Sequence, residues 1–548
     1  MNRDRAVICA VALLLTALTY LVFPGHTYLQ QDTQIYVPML EKLADPSLYA
    51  HDLLTSRPHM AWTLYDEVTL GLHRVLGLDF RAALTIQQLV FRFLGIVGVY
   101  LIVVSLDFTR RFSLFVAALF SLGAMIVGPQ VLTFEYEPSP RAFAVPLVFL
   151  GIGLLVNGRI GWASVAGAVG TVYHAPSCVP FWVVCLVCGA EAPRKLKLTL
   201  HNWQRIAILV APPVVAAVVL VVCSRLQPGV TERQPLFGIL SSQLVELQKL
   251  RAAYNWVSLW PGAIWIHYAV MLAIAAGAMS RLRSRLTRTH WIVIGGLLCW
   301  AVLSIPISFL TLEVMRWSAM PQFQPARAIL FVTAFAVILG PCAAMHAAYQ
   351  RRYQETFAWM LVAFIVPVHQ LITPRPPYTL KEAALILILT AGATGALAVH
   401  VMSPRRAAAA LGMTALGAFF AIPLLGGVRN YPALWTSEIV DLARWAQNST
   451  ERDAVFHFDG AGKDLSAGLF RAEARRAVYV EWKTGGQVNY FEDLALEWWE
   501  RWQKTMLRTA PNEELAGRGV DYVVVRLGAS RPGQHIYANG KYAVYKIR

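Results

Sequence analysis

The sequence predicts an α-helical polytopic membrane protein of about thirteen transmembrane helices, followed by a small C-terminal α/β domain. Hydrophobic residues make up 57% of the 548 residues and charged residues only 15%, whereas soluble domains carry about a quarter charged residues. Many apolar runs approach or exceed the roughly 20 residues that a membrane-spanning helix needs. The last part of the chain instead combines short β-branched and aromatic segments with amphipathic ones, which is typical of an α/β domain.

The apolar runs give thirteen candidate spans: 6–23, 85–106, 113–133, 142–157, 160–174, 177–190, 206–224, 258–279, 291–311, 327–348, 356–373, 380–402 and 408–425. Basic residues cluster in alternate loops: 107–111, 157–159, 191–205, 280–290, 350–354 and 403–406. Because cytoplasmic loops carry an excess of Lys and Arg, we expect the N-terminus in the cytoplasm and the C-terminal domain outside the cytoplasmic membrane. The first run is too long for a cleaved signal peptide and is expected to remain as an anchor.

Two domains follow from this pattern. Residues 1–425 are expected to form the transmembrane domain, including a long first outer loop at 25–84, and residues 426–548 an extracytoplasmic α/β domain. In the tail, WTSEIVDLARWAQNST and EDLALEWWERWQKTM predict helices. The segments DAVFHF, RAVYVEW, VDYVVVRL and YAVYKI predict short strands.

Charge and motifs exclude several functions. The net charge is +16, but residues 431–548 carry 16 Lys and Arg against 15 Asp and Glu, so the excess lies in the membrane part and indicates topology rather than nucleic-acid binding. All seven cysteines lie in or beside apolar runs, which argues against a disulfide framework. The spans contain no Walker, H-E-x-x-H or G-x-S-x-G motif, so ATP-driven transport and zinc proteolysis find no support.

The polar and aromatic residues gather on the predicted outer face. Asp32 follows the first span directly, in QQDTQIY. Its carboxylate suits a general base or a metal ligand, and it equally suits the N-cap of the helix that TQIYVPMLEKL predicts. Asp52, further along the first loop, is a second candidate carboxylate, although capping and surface exposure also explain it.

Further candidates for a substrate-binding site lie at other outer span ends. Glu135, Glu137 and Arg141 lie in FEYEPSPR, where an ion pair closing the turn is the structural alternative. His174 in YHAPS suits phosphate or metal binding, or a structural hydrogen bond. Arg316 and Arg327 suit bidentate phosphate contacts, or snorkelling to lipid headgroups.

These features together resemble the GT-C superfamily, the polytopic glycosyltransferases that use lipid-phosphate-linked sugar donors. The resemblance is carried by the acid in QQDTQIY, the E-x-E of FEYEPSPR, the YHAP turn and the arginine of QFQPARAIL. It implies a bundle of about a dozen spans with an outer soluble domain, and Asp32 as the base on the acceptor or as a metal ligand. The segment QQDTQIY around Asp32 contains no adjacent acidic pair, so a divalent ion such as Mg²⁺ or Mn²⁺, held by Asp32 and Glu137, stays open.

The sequence therefore predicts transfer of a sugar from a polyprenyl-phosphate donor to an envelope glycan, lipid or protein on the outer face. The base needs a nearby acceptor hydroxyl, and the departing phosphate needs cations, for which Arg327, Arg316, Arg141 and His174 are candidates. A transporter or flippase of lipid-linked saccharides is the first alternative, although no repeated halves or mid-span charges favour it. A non-catalytic membrane scaffold is the second.

Overall fold

The computed structural model describes residues 3–60, 62–126, 131–194, 200–227, 237–372, 378–426, 434–529 and 531–548. The N-terminal part contains helices α1 (Arg3–Leu21), α2 (Thr33–Ala44), α3 (Tyr65–Leu76), α4 (Phe80–Ser105), α5 (Arg110–Ser121), α6 (Pro140–Val156), α7 (Ile160–Arg194), α8 (Leu200–Leu226), α9 (Ser242–Arg251), α10 (Gly262–Arg281), α11 (Arg288–His290), α12 (Gly296–Ser308), α13 (Met320–Phe323), α14 (Leu330–Tyr349), α15 (Tyr353–Ile372), α16 (Tyr378–Val401) and α17 (Pro404–Gly426), and strands β1 (Met125–Ile126) and β2 (Val131–Leu132). The C-terminal part contains α18 (Ser437–Ser449), β3 (Val455–Phe458), α19 (Ser466–Ala474), β4 (Ala477–Val478), α20 (Glu492–Thr505), α21 (Asn512–Gly517), β5 (Tyr522–Arg526), β6 (Tyr537–Ala538) and β7 (Tyr542–Lys546).

Apolar helices dominate the N-terminal part. Among the described residues, six helical stretches are long and apolar enough to cross a membrane: Phe80–Ser105, Ile160–Gly189, Ala207–Leu226, Gly262–Arg281, Arg288–Val314 and Met320–Tyr349. Shorter apolar helices cover Arg5–Leu21, Pro140–Val156, Ile386–Val401 and Ala409–Pro423. The protein is therefore a multi-pass membrane protein, while the count of thirteen spans stays a prediction. In the stretch Met320–Tyr349, every residue from Leu330 to Ala347 is buried, as expected for a helix that is hydrophobic around its whole circumference.

The predicted span 113–133 is wrong in its second half. Helix α5 ends at Ser121, and Gly123 follows with φ +73°, in the left-handed conformation that glycine adopts after helix ends. The chain then forms the short antiparallel pair β1–β2 instead of continuing as a helix.

Helix α7 is two helices joined by a sharp reversal at His174, where the backbone is not helical. The indole N–H of Trp182 donates to Thr171 Oγ1 at 2.8 Å. A side chain at Gly170 would meet Cys178 Sγ. Residues on either side of the turn contact each other, so the two halves lie antiparallel, as the separate spans 160–174 and 177–190 predicted. Glycine permits this close approach because it has no side chain.

The C-terminal part forms a five-stranded mixed sheet in the order β4-β3-β5-β7-β6. Strand β3 is parallel to β4 and β5, while β7 is antiparallel to β5 and β6. The predicted strand and helix segments of the tail are found in place. The domain boundary expected at residues 425 and 426 adjoins residues 427–433, which lie outside the described part of the chain.

A buried charge cluster joins the sheet to the first outer loop. Arg471 of α19 donates through Nε to Asp52 Oδ2 at 2.8 Å, and its Nη1 lies 3.1 Å from Glu481 Oε1. The side chains of Arg471 and Asp52 are fully buried. Asp52 also accepts from the backbone N–H groups of Leu54 and Val478 at 2.9 Å each. The predicted site role of Asp52 is therefore not seen, since this carboxylate bonds the two parts of the protein together.

Replacing Arg471 should destabilise the contact between these parts. In Arg471→Met, two buried carboxylates lose their cation, and breaking such a pair costs about 3–5 kcal/mol. We expect a lower unfolding temperature and faster proteolytic release of the C-terminal part.

The matched control is Arg444→Met, which breaks a surface pair with Asp441 and should change stability by about 1 kcal/mol or less. Equal stability of the two variants would show that the cluster does not hold the parts together.

Candidate functional site

A cavity of about 1450 Å³, counting its open mouth, lies where the ends of several apolar helices meet the C-terminal part. Its lining comes from the first outer loop, the start of α6, the turn of α7, the segments around α9 and α13, and the loop before α20. The residues that line it are Asp32, Ile35, Tyr36, Met60, Trp62, Thr63, Ser139, Pro140, Arg141, Tyr173, His174, Ala175, Pro176, Leu220, Arg251, Tyr254, Gln322, Phe323, Gln324, Arg327, Lys483, Gly486, Asn489 and Tyr490.

Charge in this cavity is strongly unbalanced. Among the lining residues that the structure describes, four side chains are cationic, from Arg141, Arg251, Arg327 and Lys483, and one is a carboxylate, from Asp32. A concave surface with this excess of positive charge favours a ligand with more than one negative charge.

Asp32 faces the cavity and not the helix that it precedes. Asp32 occupies the N-cap position of α2, but its side chain makes no capping hydrogen bond, so the capping role that the sequence offered as an alternative is not seen. Instead, Lys483 Nζ donates to Asp32 Oδ1 at 2.9 Å, and Arg141 Nη2 lies 3.9 Å from Asp32 Oδ2. The charge of Lys483, assisted by that of Arg141, holds the pKa of Asp32 well below its usual range. With 37% of its side chain exposed, the carboxylate is ionised and accessible to a substrate.

Glu137 takes the capping role that the sequence assigned to Asp32. Its carboxylate accepts hydrogen bonds from the backbone N–H groups of Gln30, Gln31 and Thr33 at 2.7–2.8 Å. These donors flank Asp32, and a negative charge at the start of α2 is favoured by the helix dipole. Burial raises the pKa of Glu137, while the three donors stabilise the charged form. Glu137 therefore positions Asp32 and lies behind the cavity wall.

Glu135 holds Arg141 in a similar way. Arg141 Nε donates to Glu135 Oε1 at 2.6 Å, which leaves the other end of the guanidinium directed towards Asp32. The buried Arg92 of α4 fixes the same segment, since its guanidinium donates to the carbonyls of Glu135, Gly25 and Thr19. The ion pair that the sequence offered as a structural alternative is present, and it serves to place a cation in the cavity.

Arg327 and His174 lie in the cavity wall, as the sequence predicted. The Arg327 guanidinium stacks on the ring of Tyr254, with 5.3 Å from Cζ to the ring centre. Its buried Nε has no hydrogen-bond partner among the described residues. Because an unpaired buried donor costs about 1–3 kcal/mol, this group is suited to bind an anion. His174 stands at the reversal of α7, and its Nδ1 lies 2.9 Å from Ser177 Oγ.

Arg316 does not belong to the cavity. Its guanidinium is exposed and donates to Ser242 Oγ at 3.3 Å. The residue follows the end of a helical span with a positive φ of +53°, which turns its side chain towards α9. Arg316 therefore makes a surface contact and not the phosphate contact that the sequence predicted.

The sequence did not single out Lys483 or Arg251. Lys483 lies in EWKTGG, and its backbone N–H donates to the Glu481 carboxylate that also pairs with Arg471. Arg251 donates through Nε to the backbone carbonyl of Trp482 at 2.9 Å, and its guanidinium stacks on the indole ring of Trp482. The sequence around Lys483, a lysine two residues after Glu481, resembles many surface segments. Only the fold therefore reveals that Lys483 lines the cavity.

The surroundings of Asp32 do not fit the Mg²⁺ or Mn²⁺ ion that the sequence left open. Both Glu137 oxygens accept backbone N–H groups, and Asp32 faces Lys483 and Arg141. A divalent cation here would displace these donors and meet positive charge. We therefore assign no metal to Asp32 and Glu137.

Comparison with known proteins gives resemblances to solved structures. No protein-family model matches the sequence, and no curated protein matches it. The chain is similar to ArnT from Cupriavidus metallidurans bound to undecaprenyl phosphate, with a TM-score of 0.45 and 14% identity over 99% of this chain and 96% of that chain. It is also similar to the arabinosyltransferase EmbB from Mycobacterium smegmatis, with a TM-score of 0.38 and 14% identity over 79% of this chain and 42% of that chain. For the oligosaccharyltransferase of Archaeoglobus fulgidus in complex with Zn and sulfate, the TM-score is 0.38 and the identity 10%, over 95% of this chain and 68% of that chain.

Proposed function

We propose that the protein is a membrane glycosyltransferase that transfers a sugar from a polyprenyl-phosphate donor to a hydroxyl of an envelope glycan, lipid or protein. The observation that carries the proposal is the cavity in which one ionised carboxylate, Asp32, stands among four cationic side chains at the outer ends of apolar helices. A base and a phosphate site at the edge of a bilayer are the two requirements of this reaction.

The division of roles follows from the charges. Arg327, Arg141, Arg251 and Lys483 would bind the donor phosphate, and arginine is well suited to this because its planar fork pairs with two phosphate oxygens. His174 lies in the same wall and would add a polar contact to the donor. The lipid chain would leave the cavity past Leu220 and Phe323, which line it from the membrane-spanning part.

Asp32 would act as the general base. Its carboxylate takes the proton of the acceptor hydroxyl while the hydroxyl oxygen forms a bond to the anomeric carbon of the sugar. The bond from that carbon to the phosphate oxygen breaks on the opposite side, so the configuration inverts. The polyprenyl phosphate leaves with the electron pair, and the surrounding cations stabilise the added charge.

Donor binding would also prepare the base. A carboxylate whose pKa is strongly lowered is a weak base, because Lys483 stabilises its charged form. A bound phosphate competes for Lys483 and Arg141, which returns the pKa of Asp32 towards its ordinary value. The acceptor would then meet a stronger base only after the donor has bound.

The location follows from the same arrangement. We propose that the cavity opens on the outer face of the cytoplasmic membrane, with the N-terminus in the cytoplasm and the C-terminal part outside. Alternate basic loops support this orientation. The partners are then the lipid donor, the bilayer and the acceptor, while nucleic acid has no role.

Asp32→Asn separates base chemistry from donor binding. The amide cannot accept the proton, so we expect kcat/KM to fall about 10²- to 10⁴-fold. Donor binding should persist, because the four cations remain. Transfer is measured with purified full-length protein and a panel of polyprenyl-phosphate sugars, and binding by thermal shift.

The matched control is Asp45→Asn, which changes a surface carboxylate of the same loop that pairs with Arg452 and should leave transfer unchanged. Undiminished transfer by Asp32→Asn would contradict the proposed base.

Arg327→Ala tests the phosphate site. Loss of one charge-assisted hydrogen bond of about 1.5–3 kcal/mol should weaken donor binding about 10- to 100-fold. The measurement is a titration of the donor that is transferred, followed by thermal shift.

Arg316→Ala is the control, since Arg316 belongs to a neighbouring part of the same outer segment and lies on the surface. If both variants bind the donor equally well, Arg327 does not hold the phosphate.

Lys483→Met should move the acid limb of the pH–rate profile. Asp32 is active when ionised, so kcat/KM falls as the pH drops through its pKa in the free enzyme. Lys483 lowers this pKa, and its removal should shift the loss of activity to higher pH. Lys546→Met removes an exposed lysine and should leave the profile unchanged. An unshifted limb in Lys483→Met would show that Lys483 does not tune the base.

A further inference from the structure

A second group of polar side chains lies outside the set that surrounds Asp32. His59 Nδ1 lies 3.0 Å from Asp66 Oδ2 and 3.9 Å from Glu67 Oε1. One ligand atom from each of the three residues lies within 4.8 Å of the others. Asp66 and Glu67 belong to the first turn of α3, while His59 comes from the segment just before it.

Two carboxylate oxygens in this group have no partner among the described residues. Asp66 is 1% exposed, and its Oδ1 accepts no hydrogen bond. The buried Oε2 of Glu67 is also without a partner. A cation bound between these two carboxylates and the imidazole would offset the cost of burying the two acidic groups together.

We propose that His59, Asp66 and Glu67 bind a divalent transition-metal ion. One imidazole nitrogen and two carboxylate oxygens form a donor set typical of zinc and also suited to manganese. Calcium and magnesium prefer oxygen ligands alone, so the histidine selects against them. Three protein ligands leave one position for water. Gln227, whose side-chain amide donates to Glu67 Oε1 at 2.5 Å, orients one ligand, as groups around metal sites commonly do.

The position of the group indicates a structural role for the ion. None of the three ligands lines the cavity, whereas Met60, Trp62 and Thr63, which lie between His59 and α3, do line it. Thr63 Oγ1 donates to the carbonyl of Tyr173 at 2.7 Å, next to His174. An ion that joins His59 to α3 would close this segment into a short loop and fix the cavity wall. It would not touch the reacting atoms.

Metal content tests this directly. Full-length protein, purified in detergent without a metal-affinity step, is measured by mass spectrometry for bound metal. We expect about one zinc or manganese ion per chain, lost in Glu67→Gln and in His59→Gln. His51→Gln is the matched control, because His51 is an exposed histidine of the same outer loop and should leave metal content unchanged.

Thermal unfolding gives an independent readout. After chelation, the wild-type protein should unfold at a lower temperature and recover with added Zn²⁺ or Mn²⁺ but not Mg²⁺, while Glu67→Gln should show no such response. If a variant fails to fold, X-ray absorption on the wild-type protein still shows whether nitrogen or oxygen donors without sulfur surround the ion, and whether the outer-shell scattering of an imidazole ring is present. A wild-type chain without bound metal and without a response to Zn²⁺ or Mn²⁺, or a His59→Gln variant with full metal content, would overturn the proposal. Neither readout depends on sugar transfer, so its failure differs from failure of the proposed function.

Discussion

The candidate site depends on the buried contact between Arg471, Asp52 and Glu481. The cavity wall comes from two distant parts of the sequence, and this contact fixes one against the other. Charges this deeply buried are stable only when each has its partner in place, so the cluster tolerates a single relative position of the two parts. Glu481 also binds the backbone N–H groups of Lys483 and Thr484, which aims the lysine at Asp32. The geometry of the site is therefore a consequence of how the two parts are joined.

The excess of positive charge destabilises the empty cavity and favours the binding of an anion. Four cations around one carboxylate repel one another in a partly dry space, and this repulsion is relieved when a phosphate enters. In the proposed reaction, the affinity for the donor and the strength of the base would be linked through Lys483 and Arg141, which contact Asp32 in the structure. Such a link would favour binding of the donor before the acceptor, without any large movement of the chain.

Local sequence patterns predicted the site only in part. Asp32, Arg141, His174 and Arg327 could be chosen because unusual polar residues next to apolar runs are visible in the sequence. The roles of Glu137 and Lys483 could not, because they depend on contacts across 104 and 451 positions of the chain. Arg316 and Asp52 have the same local features as the residues that line the cavity, and only the fold separates them. The existence of the helices was easier to predict than their ends. Helix α5 ends at Ser121, shortly before Gly123 with its positive φ, whereas the apolar run that predicted the span continues to residue 133.

The first outer loop is long, and ordering a long loop costs conformational entropy that grows with each fixed residue. The structure offsets this cost at separate points. Glu137 holds the start of the loop beside Asp32, the Arg471 cluster holds Asp52 in its middle, and the group of His59, Asp66 and Glu67 lies where the loop becomes α3. Each anchor contains a buried carboxylate that binds residues far apart in the sequence or on different elements. A base that must stand within hydrogen-bond distance of an acceptor needs this order, since an error of about 1 Å can cost about 10²-fold in rate. The anchors thus place Asp52, Asp66 and Glu67 outside the cavity and leave Asp32 as the carboxylate of the loop that lines it.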